Sequence, residues 1–417
     1  MLTVLALLFA SFPFTQIVPL DTYNQPYAVT FGALALGLNL RFLGNLPVAD
    51  RWALAGLAGL GAILLAFESI NGLEGREIVY MLSYLTPVLL VPPLRQLMQD
   101  RPDIARQVMS FAVLAWVGVS LVQRLYDVSF LNFLASDAEN LAENIAASGR
   151  GVIGLAPEPT HHGLHMLCLA AALYLLDGKK WIVSMALVSP IAFAGSSFSV
   201  LAMACGLTVW AATNPLRRSW YFLAVAAVLV IGATVPFLLD SQTRIAMFVN
   251  QIQTEGLEVL VSDASANARL SGIFLPIGEM IQRAGVPLGL SLRSWMEMRD
   301  HILTQNSWVF SLSGSGPASG FGLLLVQGGI FALPIVLLIG KRLLFDLRET
   351  TKGALSAITF FVFCGQIYLA TPSFGLVYAA ALVAIANERR RQLHRQRRMA
   401  PPLVPVTRNM GSAGVAV

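Results

Sequence analysis

The sequence predicts an all-α polytopic membrane protein of about twelve transmembrane helices. Three observations carry that prediction. The 417 residues are 56% hydrophobic and 12% charged, about half the charged share of a soluble domain, and mean hydropathy is +0.67. Apolar runs of membrane-spanning length follow one another along the chain, and inside lipid only helices or closed barrels satisfy their own backbone. Basic residues fall in alternate connections between those runs.

The runs are 2–20, 28–43, 52–69, 77–93, 107–126, 160–177, 181–195, 197–214, 219–239, 318–340, 353–370 and 372–388. The chain opens on apolar residues and its first basic residue is Arg41. A secretory leader needs a basic start, so 2–20 is expected as a retained helix. Gly195-Ser196-Ser197 separates the seventh and eighth runs, which also read as one broken helix. Arg41 and Arg51 lie between runs two and three, and Arg95, Arg101 and Arg106 between four and five. Lys179 and Lys180, Arg217 and Arg218, and Lys341, Arg342, Arg348 and Lys352 follow at every second connection. The series closes with Arg389, Arg390, Arg391, Arg395, Arg397 and Arg398. Placing all of these inside puts both termini in the cytoplasm and 127–159 and 240–317 outside. Residues 1–399 then form a single transmembrane domain. Residues 400–417, carrying little charge among Pro, Gly and Val, are expected to be a disordered cytoplasmic tail.

The formal charge of +5 therefore reports topology and gives no sign of nucleic-acid binding. Cys168, Cys205 and Cys364 sit inside apolar runs at unrelated spacings. That pattern predicts packing residues, with neither a disulfide framework nor a zinc site.

Two outer loops carry the polar chemistry. In the first, Ser136–Glu143 has the makings of a short interfacial helix with a Ser or Asp cap. The loop ends in Arg150-Gly151-Val152-Ile153-Gly154-Leu155-Ala156-Pro157-Glu158-Pro159-Thr160-His161-His162-Gly163. Two prolines bracket Glu158 and restrict its backbone just before a helix starts. Glu158, His162 and further His161 and His165 then fall within one or two turns. The cluster reads three ways: an acid/base or acceptor-binding site, a carboxylate placed for the helix dipole, or a metal site lacking a second ligand set.

The second loop, 240–317, holds Arg244, Arg269, Arg283, Arg293 and Arg299, with His301, Trp295 and Trp308. Leu270, Ile273, Phe274, Ile277, Met280 and Ile281 recur at helical spacing, so 267–284 is expected as an amphipathic helix on the bilayer or over a cavity. Pro287-Leu288-Gly289 turns the chain, and Ser311–Pro317 is a flexible run. Every outward basic residue, Arg76, Arg124 and Arg150 included, is arginine, the side chain suited to bidentate phosphate binding. With 24 arginines against 4 lysines, arginine identity alone decides little. The persistence of basic residues on the disfavoured side is the stronger sign. Each is a phosphate contact or an ion-pair partner, and Arg269 leads because it opens the helix after Ser265-Ala266-Asn267. His301 reads equally as a general base or an ordinary loop histidine. Glu68, Asn71, Glu74, Gln123, Arg124, Gln366 and Tyr368 are polar groups near outer helix ends, where they line a cavity or snorkel.

This layout resembles the bacterial O-antigen polymerase and O-antigen ligase group. The Arg150–Gly163 stretch looks like the Arg…Gly…Glu-Pro-[Ser/Thr]…Gly segment of polymerase-like members, exopolysaccharide polymerases included. Ser265–Arg269 followed by Pro287-Leu288-Gly289 is similar to the family's Ser…Arg and Pro-x-Gly loop pattern. Asn306, Gly320-Phe321-Gly322 and Gly328-Gly329 stand where the family has an asparagine and a glycine-bearing start to span ten. Asp300-His301 and Asn306 are separated here where the family often has them adjacent, and the Pro-Leu-Gly-Leu stretch lacks the usual second glycine.

The resemblance implies a polyprenyl-diphosphate-linked oligosaccharide, presented at the periplasmic face of the inner membrane, and glycosyl transfer with diphosphate as leaving group. It implies no cofactor and no metal. Its expected partners are membrane lipid, a flippase and a chain-length-regulating copolymerase. A departing diphosphate needs fixed positive charge, for which Arg269 with Arg150 or Arg244 are the candidates and Arg299 a further one. The acceptor hydroxyl needs a base: Glu158 first, then His301 or His162. Trp295 and Trp308 are candidates for stacking on sugar rings. An O-antigen ligase is the near alternative. A twelve-helix secondary transporter, or a flippase for lipid-linked glycan, is the alternative without chemistry.

Overall fold

The computed structural model describes residues 1–18, 24–70, 72, 75–135, 151–214, 251, 254–262, 264–314, 316–365 and 367–399. Regular structure among them is helical, apart from one isolated bridge between Thr15 and Ala135. The first half contributes α1 (Leu2–Ala10), α2 (Tyr27–Leu38), α3 (Val48–Ser69), α4 (Gly75–Asp100) and α5 (Pro102–Leu125). Then come α6 (Pro159–Leu175), α7 (Lys180–Ala192) and α8 (Ser197–Thr213). The long polar loop supplies α9 (Ala264–Gln282) and α10 (Leu292–Gln305). The chain closes with α11 (Gly320–Gly328), α12 (Leu333–Gly340), α13 (Lys352–Cys364) and α14 (Pro372–Met399).

Three stretches among the described residues are long and apolar enough to cross a membrane: α3, α5 and the composite Gly320–Phe345. The shorter α2, α7, α8 and α13 are apolar too. At about 1.5 Å per residue, thirteen-residue α7 or α13 reaches about 20 Å, less than the roughly 30 Å of a hydrocarbon core. Local signals set the helix starts. In α5, Pro102 occupies the first turn, where its missing N–H costs nothing, and Asp103 complements the dipole. Its buried stripe runs Ala105, Met109, Ala112, Trp116, Val119, Gln123, the period of one helix face.

Several expected boundaries move. The run 2–20 is not one helix, because α1 ends at Ala10. The Ser11 hydroxyl donates to Leu7 O at 2.9 Å, and Gln16 N donates to Leu134 O at 2.6 Å, which draws the chain away sideways. The run 318–340 is interrupted at Gly329, whose φ of +55° ends α11. A 3-10 turn, Gly329–Ala332, precedes α12, and a π turn, Lys341–Phe345, follows it. The run 353–370 stops at Cys364. The break between α7 and α8 is real: Gly195 has φ +55° and Ser196 Oγ caps α8 by accepting from Ser199 N. The run 219–239, the helix expected at Ser136–Glu143 and the tail 400–417 lie outside the described residues.

The core centres on α6 and the first half of α14, buried on nearly every side. Helix α6 packs against α7, α13 and α14, and α4 against α2, α3 and α14. Two polar hubs fix the arrangement. The Ser11 carbonyl accepts from Trp116 Nε1 at 3.1 Å and from His165 Nε2 at 3.0 Å. A carbonyl only accepts, so His165 carries its proton on Nε2 and Nδ1 accepts from the Ser373 hydroxyl at 2.8 Å. That joins the ends of α1, α5, α6 and α14. At the opposite end of the bundle, Asp50 is fully buried and takes Arg342 in a fork, Nε to Oδ1 at 3.0 Å and Nη2 to Oδ2 at 2.7 Å. Tyr378 O–H donates to the same Oδ1 at 2.7 Å.

Contacts sort the connections into two groups. Arg95 reaches Asn45 O, Arg106 reaches Leu176 O, Lys352 reaches Leu175 O and Asp177, and Trp210 reaches Arg348 O. All of these belong to the connections that charge alternation assigns inside. A second group joins Gln123 to Gly154, Tyr368 to Pro317 O, and Gly320 N to Gly365 O. The outer loop docks on this second end as a small helical module with its own core of Trp295, Met298, Ile302, Val309 and Leu312. Its turn is stitched to the broken helix: Leu288 N to Val326 O at 3.0 Å, Gly289 N to Gln327 O at 3.2 Å, and Ile330 N to Gly285 O at 2.8 Å. A Cβ on Gly329 would lie 2.2 Å from Gly285 O, so this approach requires glycine.

Removing Asp50 leaves the buried Arg342 guanidinium paired with Asp346 alone. Asp50→Ala is expected to cost about 1.5–3 kcal/mol, the range for hydrogen bonds to a charged group, and Asp50→Asn, which keeps an acceptor, to cost less. Thermal unfolding in detergent measures both.

Candidate functional site at the start of α6

The segment 151–158 is held from both flanks. Val152 N donates to Phe193 O at 2.8 Å, and a Cβ on Gly151 would sit 2.1 Å from the same oxygen. Gly154, at φ +64°, exchanges two hydrogen bonds with the Gln123 amide, N to Oε1 at 2.8 Å and Nε2 to O at 2.9 Å. Glu158 comes next in an extended conformation (φ −143°, ψ 153°), as the proline after it demands. It stands at the N-cap of α6, yet its side chain makes no capping hydrogen bond. The half-buried carboxylate is therefore not consumed by the helix end.

Arg269 comes from the other side of the sequence. Its Nη2 donates to Thr160 Oγ1, in the first turn of α6, at 3.2 Å. The edge of the His161 ring, one residue on, meets Phe14 with ring centres 5.6 Å apart. The start of α6 thus carries a carboxylate and an imidazole, and a guanidinium from another helix reaches its first turn. Arg269 is positioned by its own helix. Asn267, almost wholly buried, donates through Nδ2 to Trp308 O at 2.9 Å and Val261 O at 3.1 Å, and accepts from Phe310 N at 3.1 Å. Farther along the same helix, Gly272 O accepts from Ala318 N at 3.0 Å.

The remaining candidates separate. His162 is fully buried and satisfied, with Nδ1 3.4 Å from Val152 O and Nε2 3.1 Å from Ser189 Oγ. The carbonyl fixes the proton on Nδ1, so Nε2 accepts from the serine, and the ring is packed inside the bundle. His301 lies 3.6 Å from Glu279 Oε1, which Arg283 approaches at 3.5 Å. Arg299 pairs with its neighbour Asp300 at 2.7 Å. Trp295 is 4% exposed, its indole N–H donates to Ser313 O at 3.0 Å, and it belongs to the module's core while also lining a small cleft beside the module's turn. Trp308 is half-exposed. Arg150 and Arg244 lie outside the described residues. The three cysteines are free thiols, and among the described residues no group of three or more His, Cys, Asp or Glu is placed for a metal ion.

Two small clefts open elsewhere, between α4, α11 and the module's turn. They share Leu323 and Gln327, and Tyr84 O–H donates to Gln327 Oε1 at 2.8 Å across one of them. Neither is lined by Glu158 or Arg269. Thr160 and Asn267 join the site without having stood out in the sequence. An asparagine inside an amphipathic helix, two residues before an arginine, is the signal that could have marked one of them, because asparagine is a poor helix former without a partner.

No family model, no curated protein and no solved structure matches this chain.

The two α6 residues are expected to part company in stability. His162→Ala removes a buried ring and strands the Ser189 hydroxyl, costing about 3 kcal/mol. Glu158→Gln is expected to stay within about 0.5 kcal/mol of the parent. Thermal midpoints in detergent separate the two roles.

Proposed function

We propose that this chain is a membrane glycosyltransferase that polymerises polyprenyl-diphosphate-linked oligosaccharide repeat units at the outer face of a bacterial inner membrane. One observation carries the reading: the Arg269 guanidinium meets the first turn of α6, beside Glu158, across 109 residues of sequence. In the reaction, an acceptor sugar hydroxyl attacks the anomeric carbon of the donor. The carbon–oxygen bond to diphosphate breaks, and polyprenyl diphosphate leaves with the bonding pair. Glu158 accepts the hydroxyl proton, and Arg269 stabilises the charge that grows on the leaving oxygen. The twelve-span topology, a copolymerase that sets chain length and a flippase that delivers donor belong to the same proposal.

The rival without chemistry draws on a specific feature. Transporters place discontinuous helices around their substrate, and the composite span here breaks at Gly329. A flippase or transporter, however, has no need of an uncapped carboxylate at a helix start whose first turn is contacted by an arginine from a distant loop. An O-antigen ligase shares the site and differs only in acceptor.

Glu158→Gln and Arg269→Gln are each expected to lower polymer formation by about 100-fold or more, with Arg269→Lys intermediate because it loses the planar fork. Electrophoresis of the surface polysaccharide reads the result, and normal polymer in both variants would falsify the assignment. Deleting the gene then discriminates among the readings. Single-repeat glycan on the surface marks a polymerase, unattached glycan a ligase, and donor held on the inner leaflet a flippase.

A further inference from the structure

Glu68 closes α3 at the outer end, and its half-buried carboxylate turns to the helical module instead of to water. Its Oε1 accepts from Leu290 N at 3.0 Å and from Ser291 N at 3.2 Å. These are the residues that lead into α10, where Ser291 caps the helix by accepting from Ser294 N. The turn is shaped around the carboxylate: Gly289 has φ +89°, and a Cβ there would lie 2.2 Å from Glu68 Oε1. On its other side the same turn is bonded to Val326, Gln327 and Ile330 of the broken helix.

We propose that Glu68 is a positioning residue. Its side-chain oxygen holds the 289–291 turn, and through it the module whose first helix carries Arg269 to α6. The module is otherwise tied to the bundle by backbone bonds from 285–289 to the broken helix and by Arg269 on Thr160, and the bonds from Glu68 act directly on the turn. What matters at this point is an acceptor oxygen, which glutamine also supplies. The link to Arg269 rests on the glycosyl-transfer reading for its activity arm alone.

Amide hydrogen exchange on the purified protein in lipid nanodiscs, without substrate, tests the latch. In Glu68→Ala, peptides covering 288–292 are expected to exchange about 10- to 100-fold faster, the range set by losing hydrogen bonds to a charged acceptor. Glu68→Gln is expected to restore protection to within about threefold of the parent. Unchanged exchange in Glu68→Ala, or Gln behaving like Ala, overturns the proposal. In cells, polymer is expected to fall at least about tenfold in Glu68→Ala and to return in Glu68→Gln, again the range for one charged acceptor. Faster exchange with full polymer overturns the positioning role. Faster exchange in a protein whose parent makes no polymer refutes the reaction and leaves the latch standing.

Discussion

Hydrocarbon has no hydrogen-bond partner to offer, and this constraint shapes one half of the molecule. Helices α7 and α13 stop well short of a bilayer's thickness. The backbone just beyond them must be satisfied within the protein. At Phe193 and Gly365 it is met by other irregular segments. Val152 pairs with Phe193, Gly320 with Gly365, and the Gln123 amide closes both backbone groups of Gly154. The consequence is a buried region of polar, non-helical chain at one end of an otherwise apolar bundle. Glu158 stands half-buried at its edge.

Three parts of the chain assemble the candidate site, and each is held differently. The start of α6 is fixed from below by the hydrogen bonds of His162 and His165. The approach segment is fixed laterally by glycine contacts that leave no room for a Cβ. Arg269 arrives on a separate module, anchored to the broken helix by backbone bonds and to α3 by Glu68. The buried histidines thus act as struts, and the ionisable work falls to groups at the module boundary. At the far end, the Asp50–Arg342 fork with Tyr378 ties α3, the π turn and α14. A buried charge pair of that kind specifies an arrangement more than it stabilises one.

Much of the bundle is legible in the sequence because apolar run length is a local property. The positions of α3, α5, α6 and α8 follow from it, as does the amphipathic α9. Helix ends are less so. The truncation of α1 depends on a bridge to Ala135, and the break at Gly329 on a close approach by Gly285, both invisible without the partner. A pairing of Glu158 with Arg269 is expected from chemistry, and the contact the structure holds is that of Arg269 with Thr160. The partners of His162, Ser189 and Val152, are not legible, because a histidine one turn into a helix looks alike whatever it faces. The same holds for Trp295: sequence reports an aromatic, and only packing reports which side of it is covered. Glu68 is visible as a polar group at an outer helix end, but its partners are 222 and 223 residues away.

The π turn at Lys341–Phe345 gives the last membrane-crossing stretch before α13 a property that no side chain reveals. A π turn stores one residue more than the α-helical ladder needs. Removing a residue just after Arg342 would let the coil rewind, turning the downstream chain by about 100° relative to the guanidinium. Asp346, which shares that guanidinium with Asp50, would then stand three residues from Arg342 instead of four and meet it from a new angle. The length of this segment, as much as its side chains, sets how the guanidinium is shared.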